Sequence, residues 1–198
     1  MYNSSNLKTS EYNIHRDISM NICDFCDKHG IKYFGIGLVF RNGHKDPVSH
    51  PLYDNKVPTM TEFKTLSDKE LKERQKYADY FDYIAMDTSE FKHIDVDYLD
   101  DVEYPKADIK YIDLFTKNTA YFNSVSKRRG KHIIVKTEHT FNGNNRPQTK
   151  LKDVEILNGQ WSYVKITEKV YNPDKIYTLC EEDIEELWDP TQGNSNGK

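Results

Sequence analysis

The sequence predicts an α+β fold: a single domain whose mixed, largely antiparallel sheet is flanked by helices. Three observations predict it. Stretches with helical spacing are interspersed with short runs of strand character. The 198 residues suffice for one full-sized core. No repeat and no linker divides the chain.

The elements follow in order. Residues 1–10 are polar and are expected to form a disordered tail. From Glu11 to His29 the apolar residues Ile14, Ile18, Ile22, Phe25 and Cys26 recur at helical spacing, and Gly30 is a natural stop. The run IKYFGIGLVF is a strand. Its GIG lacks the third glycine and the following helix of a dinucleotide-binding loop. Residues 41–65 carry Pro47, Pro51 and Pro58 and read as loop. Ser67 and Glu70 fit a capping box opening a second helix. Strands are expected at Tyr83–Met86 and Phe91–Asp97, a helix at Asp108–Asn118, and strands at Tyr121–Val125 and His132–Lys136 around a basic turn. Lys150–Leu157 and Trp161–Thr167, joined by Asn158-Gly159, read as a hairpin. An acidic helix, Glu181–Trp188, precedes a second disordered tail, 189–198. The folded domain is expected over 11–188, with an N-terminal αβ part (11–90) and a metal-binding part (91–188).

Composition narrows the function. No apolar run approaches the length needed to span a membrane, and the polar N-terminus does not read as a secretory signal. The net charge of −4 provides no global attraction to nucleic acid, so any such attraction must be local. Three cysteines argue against a disulfide framework and for a reducing, intracellular compartment. Cys23 and Cys26 form a lone CxxC without a second pair to complete a zinc site, and read as small core residues of a helix. The closing GNSNGK does not meet the spacing of a phosphate-binding loop.

Three segments carry candidate chemistry. In IDVD, residues 94–97, strand alternation puts Asp95 and Asp97 on one face and Ile94 and Val96 on the other. Adjacent carboxylates repel, and a divalent cation reverses that preference. Oxygen-only ligands suit Mg²⁺ or Mn²⁺. His93 shares their face. With nineteen Asp in the chain, about two DxD triplets are expected by chance, so the strand context is what singles this one out. In SVSKRRGKHIIVK, residues 124–136, four cations surround a glycine ahead of an apolar strand, an arrangement that can cradle phosphate. A solvated hairpin tip is the plainer reading of the basic run alone. In LKDVEILNGQWSYVKI, Asp153 and Glu155 share a strand face, and either offers a third carboxylate.

Together these segments resemble the archaeo-eukaryotic primase superfamily, especially primase-polymerase domains of large DNA viruses and mobile elements. The resemblance runs from about Gly30 to Thr167. KYFGIGLVF, NKVPTMTEF, YIAMDTSEFKHIDVD and DVEILNGQWSYV follow the pattern in order. It implies an RRM-like catalytic core and a template-directed DNA primase or polymerase using two ions, Mg²⁺ or Mn²⁺. It implies Asp95, Asp97 and Asp153 as metal ligands and catalytic residues. Ser126, Arg128 and His132 would bind the NTP or dNTP, while Arg129 and Lys131 would contact DNA. The implied partners are a single-stranded DNA template and a replicative helicase of superfamily 3 type, and the setting, if viral, is the host-cell replication site. The sequence departs from the pattern in the bulk of Arg128 and Arg129 before His132, and in lacking a recognisable zinc module. Two rival readings are a non-catalytic nucleic-acid-binding replication module and a DxD glycosyltransferase, which usually needs a longer chain.

Overall fold

The computed structural model describes residues 19–41, 44–48, 60–124 and 129–191. Eleven strands and five α-helices are assigned among them. The elements are β1 (Ser19–Asn21), α1 (Ile22–His29), β2 (Tyr33–Arg41), β3 (His44–Val48), α2 (Met60–Lys64), α3 (Asp68–Lys76), β4 (Tyr83–Asp87), β5 (Lys92–Val96), α4 (Lys106–Asn118), β6 (Tyr121–Asn123), β7 (Lys131–Lys136), β8 (Val154–Leu157), β9 (Trp161–Lys165), β10 (Lys169–Tyr171), β11 (Tyr177–Thr178) and α5 (Glu181–Leu187). A 3₁₀ turn, Ala78–Tyr80, follows α3.

The strands form two sheets, and the class is α+β. The larger runs β1-β10-β6-β7-β5-β8, with β11 parallel to the far half of β7. The smaller runs β3-β2-β4-β9 and is antiparallel throughout. Local signals explain several elements. Asn21 caps α1 by accepting from the Cys23 N–H at 2.8 Å, and Gly30 ends it with φ of 68°. In α3, Ser67 and Glu70 cap each other reciprocally. Cys26 is fully buried in the core beside Phe25. Burial pushes the Cys23 thiol up to about 11, so it is protonated at neutral pH.

Two cores sandwich the larger sheet. On one face, Ile94, Val96, Ile133, Val135, Val154 and Ile156 pack with Ile112 and Phe115 of α4 and Ile184 and Leu187 of α5. On the other, Phe122 and Ile134 meet Tyr33, Ile84, Met86 and Val164 of the smaller sheet and Ile22 and Phe25 of α1. The outer face of the smaller sheet buries Phe34, Ile36 and Ala85 against Phe81. There Gly35 is needed for space: a Cβ on it would lie 2.4 Å from Phe81 Cδ2 and 2.9 Å from Ala78 Cα.

Three expectations need correction. Asn158-Gly159 does not close a hairpin, because β8 pairs with β5 in the larger sheet and β9 with β4 in the smaller one. The turn is a crossover, tied to the oppositely directed crossover from β4 to β5: Gly159 N–H donates to the Thr88 carbonyl at 3.2 Å, and Thr88 N–H to the Gln160 carbonyl at 3.1 Å. Of the helix expected over Glu11–His29, residues 11–18 lie outside the described residues, Ser19–Asn21 form strand β1 paired with β10, and Ile22–His29 form α1. The region read as loop contains β3 and α2. The expected tail 1–10 and most of the second tail lie outside the described residues, as do Ser126 and Arg128. Among the described residues, no helix is long and apolar enough to cross a membrane.

Candidate active site

The site is built around β5. Its register sets Asp95 opposite His132 of β7 on one side and Glu155 of β8 on the other. Directly opposed residues project from the same face of a sheet with Cβ atoms about 5 Å apart. Alternation adds His93 to that face, and Asp97, the residue after β5, lines a cavity with Glu155. Along this stretch exposure rises from fully buried His93 to partly exposed Asp95 and Asp97. The chemistry thus begins where apolar packing ends.

His132 is held tightly. Its ring stacks on Phe122 at 4.8 Å between centroids, and Nδ1 lies 3.4 Å from Asp95 Oδ1. The side chains of His132 and Asp95 are only 5 % and 13 % exposed. His132 therefore touches a carboxylate of the site and has almost no exposed surface. His93 lies 6.0 Å from His132 between ring centroids. Burial, reinforced by His132, holds His93 well below the usual histidine range, so it is neutral. Neither His93 ring nitrogen has a hydrogen-bond partner among the described residues.

Asp97, Asp153 and Glu155 line one cavity of about 340 Å³ together with Leu99, Arg146, Gln148 and Val154. Burial raises the Glu155 carboxyl above its ordinary range; Arg146 opposes that shift, and the charges of Asp95 and Asp97 add to it. Glu155 is thus the carboxylate coupled to the DxD pair. Both its oxygens are engaged: Arg146 Nη1 lies 3.1 Å from Oε1, and Gln148 Nε2 donates to Oε2 at 3.1 Å.

Asp153 sits differently from the expectation that it shares a strand face with Glu155. It precedes β8 and has a left-handed backbone, φ 55°, which breaks the alternation. Its carbonyl accepts the Asp97 N–H at 2.9 Å. Its charge is felt at Tyr98 on the α4 side, whose hydroxyl is raised to about 12, chiefly by burial.

Arg129 and Lys131 follow the predicted parity and project away from His132. Arg129 lies over the Tyr98 and Tyr104 rings at 5.7 and 5.6 Å, with Nη1 donating to the Leu99 carbonyl at 3.5 Å. Lys131 is 3.9 Å from Asp113 of α4 and 5.7 Å from the Tyr121 ring. Both are engaged within the protein, so binding to DNA would compete with these partners.

The residues suit a hard divalent ion in donor chemistry, since Asp95, Asp97, Glu155 and Asp153 offer only oxygen. The place beside Glu155 that such an ion would take holds a positive group, the Arg146 guanidinium. Among the described residues, no three His, Cys, Asp or Glu side chains converge as they stand on a single ion position. Sequence reasoning missed Arg146 and Gln148 altogether; only the pairing of β5 with β8, with Gln148 bridged to Glu155, brings their loop to the carboxylates. No protein-family model matches this chain, and no curated protein matches it.

Proposed function

We propose that this chain is a template-directed nucleotidyltransferase of the primase-polymerase kind, joining NTPs or dNTPs on a single-stranded DNA template. The observation that carries the reading is the cross-strand row His132–Asp95–Glu155 with Asp97 just past the end of β5. It is a carboxylate group on adjoining strands of one sheet, opening to a cavity, as positioned metal-assisted phosphoryl transfer requires. Two Mg²⁺ or Mn²⁺ ions held there would lower the pKa of the attacking hydroxyl and neutralise the triphosphate.

The protein's own residues supply the rest. Asp95, on the central strand β5, and Asp97, just past its end, are ligands. Glu155 is the third carboxylate, with Asp153 at the cavity wall. His132 orients Asp95 through its Nδ1 edge, and its proposed role at the triphosphate would be exerted through that carboxylate, since its ring is buried. Ser126 and Arg128, just before it in the chain, are proposed for the triphosphate, and Arg129 and Lys131 for the DNA backbone. A replicative helicase is the proposed partner.

The test is incorporation of labelled NTPs and dNTPs with Mn²⁺ and single-stranded DNA, with and without primer. Template-dependent products that vanish in Asp97→Asn support the reading. No incorporation under either condition, or full incorporation by Asp97→Asn, defeats it.

A further inference from the structure

The carboxylate cavity contains one feature that a metal-assisted site does not need for metal binding, a guanidinium laid on one of its acids. Arg146 is the sole cation among the described residues lining that cavity. Its backbone is firmly placed. The Asn158 side chain donates to the Asn144 carbonyl at 2.9 Å, the Gln160 side chain to the Asn145 carbonyl at 2.9 Å, and the Asn158 N–H to the Asn145 carbonyl at 3.0 Å. The Arg146 N–H itself donates to Asn144 Oδ1 at 2.9 Å, and the Ile156 N–H to the Pro147 carbonyl at 2.9 Å.

The head group is held more lightly. Its polar contacts are Glu155 at 3.1 Å and Gln160 Oε1, which accepts from Nε at 3.2 Å. The Arg146 side chain is 49 % exposed, against 16 % for Glu155. A fixed backbone under a half-exposed planar cation is the arrangement of a group that changes partner without moving its loop. The guanidinium fork matches carboxylate and phosphate oxygens equally well.

We propose that Arg146 is a latch on the carboxylate site, neutralising Glu155 when no divalent ion is bound and, once an ion displaces it, binding the phosphate chain of the nucleotide. The inference rests on the reading of the site as a nucleotidyltransferase centre. Electrostatics requires one partner at a time. With Arg146 on Glu155, a divalent ion meets a partly neutralised donor set. With the ion in place, ion and guanidinium repel, and the nearest new anion is the incoming phosphate. Asp97, Asp153 and Glu155 on the cavity wall would otherwise repel that phosphate, so a freed cation at the rim favours its entry.

The test separates the two halves of the latch and uses the whole chain. Mn²⁺ binding is measured by the loss of the free-ion EPR signal, without nucleotide, in wild type and Arg146→Met, which keeps the apolar stem. Removing a competitor of this exposure should tighten Mn²⁺ binding about twofold to fivefold. At saturating Mn²⁺, the same variant should bind a non-hydrolysable dNTP at least about tenfold more weakly, while binding of the unphosphorylated nucleoside is unchanged. Gln160→Met removes the guanidinium's second anchor and the tie to the Asn145 carbonyl, leaving the two Asn158 ties to hold the loop and touching no carboxylate; it should leave Mn²⁺ binding unchanged or weaken it, and should not weaken nucleotide binding. It keeps the question open to refutation should Arg146→Met fail to fold: with Gln160→Met, weaker nucleotide binding overturns the latch. Mn²⁺ binding that is unchanged or weaker in Arg146→Met, or nucleotide binding unchanged in it, also overturns the latch. A wild-type chain that binds neither Mn²⁺ nor nucleotide instead overturns the nucleotidyltransferase reading, and the latch with it.

Discussion

Glu155→Gln and Asp153→Asn form a pair that discriminates between two candidates for the third carboxylate. Glu155 opposes Asp95 in register, and its carboxyl feels both Asp95 and Asp97. In Glu155→Gln one negative ligand is removed. The stability change is a difference of small quantities. The ion pair with half-exposed Arg146 is worth less than about 1 kcal/mol after solvent screening. Relief of like-charge repulsion against Asp95 acts in the opposite direction with similar size. The glutamine amide still offers an oxygen to a donor. The folded state should therefore shift by no more than about 1 kcal/mol, while kcat/KM should fall at least about 100-fold, equivalent to about 2.7 kcal/mol of transition-state stabilisation. Asp153→Asn keeps a side chain that tolerates the left-handed backbone at φ 55°. It should lose less than about fivefold, or about 1 kcal/mol. The assay is primer extension under Mn²⁺, beside urea unfolding of each variant. If Asp153→Asn abolishes extension and Glu155→Gln does not, the register argument is wrong and the left-handed residue is the ligand.

Other outcomes follow from the same geometry. Gly35→Ala places a methyl group 2.4 Å from the Phe81 ring and 2.9 Å from the Ala78 backbone, and should destabilise by about 1–3 kcal/mol in urea unfolding; a neutral effect contradicts the packing of the outer sheet face. His93 is neutral because burial, with His132 beside it, lowers its pKa. Below about pH 6.5 the unfolded chain takes a proton that native His93 refuses, so stability should fall as pH falls, by up to about 1.4 kcal/mol per unit from this group. In divalent-free buffer, His93→Phe should flatten urea-derived stability between pH 7 and 5 relative to wild type, and equal slopes would contradict the burial argument. Arg129→Ala with Lys131→Ala should reduce the salt slope of single-stranded DNA binding by about 0.7 for each phosphate that the variant no longer neutralises, and should spare nucleotide affinity; an unchanged slope leaves both cations as internal partners of Tyr98, Tyr104 and Asp113.

Local physics was readable from the sequence. The Ser67–Glu70 box and the Gly30 stop depend on neighbours within a few residues. Strand pairing was not readable, because it depends on partners far along the chain. Asn158-Gly159 has the composition of a hairpin turn, yet Val154–Leu157 finds β5 and Trp161–Lys165 finds β4, and their sheets differ. The expectation that Asp153 and Glu155 share a strand face missed a backbone feature: alternation holds only while the strand does, and φ of 55° at Asp153 lies outside it. Arg146 carried no signal of its own. Its place at Glu155 follows from a loop fastened by the amide side chains of Asn158 and Gln160, which come after Glu155 in the chain.

The most direct measurement of the central claim is the anomalous scattering of a crystal grown with Mn²⁺, a non-hydrolysable dNTP and a primed template. The account predicts manganese peaks between the carboxylates of Asp95, Asp97 and Glu155, with the triphosphate on the cavity side and Arg146 moved from Glu155 to a phosphate oxygen. Manganese absent from these carboxylates, or nucleotide bound elsewhere on the chain, would contradict it.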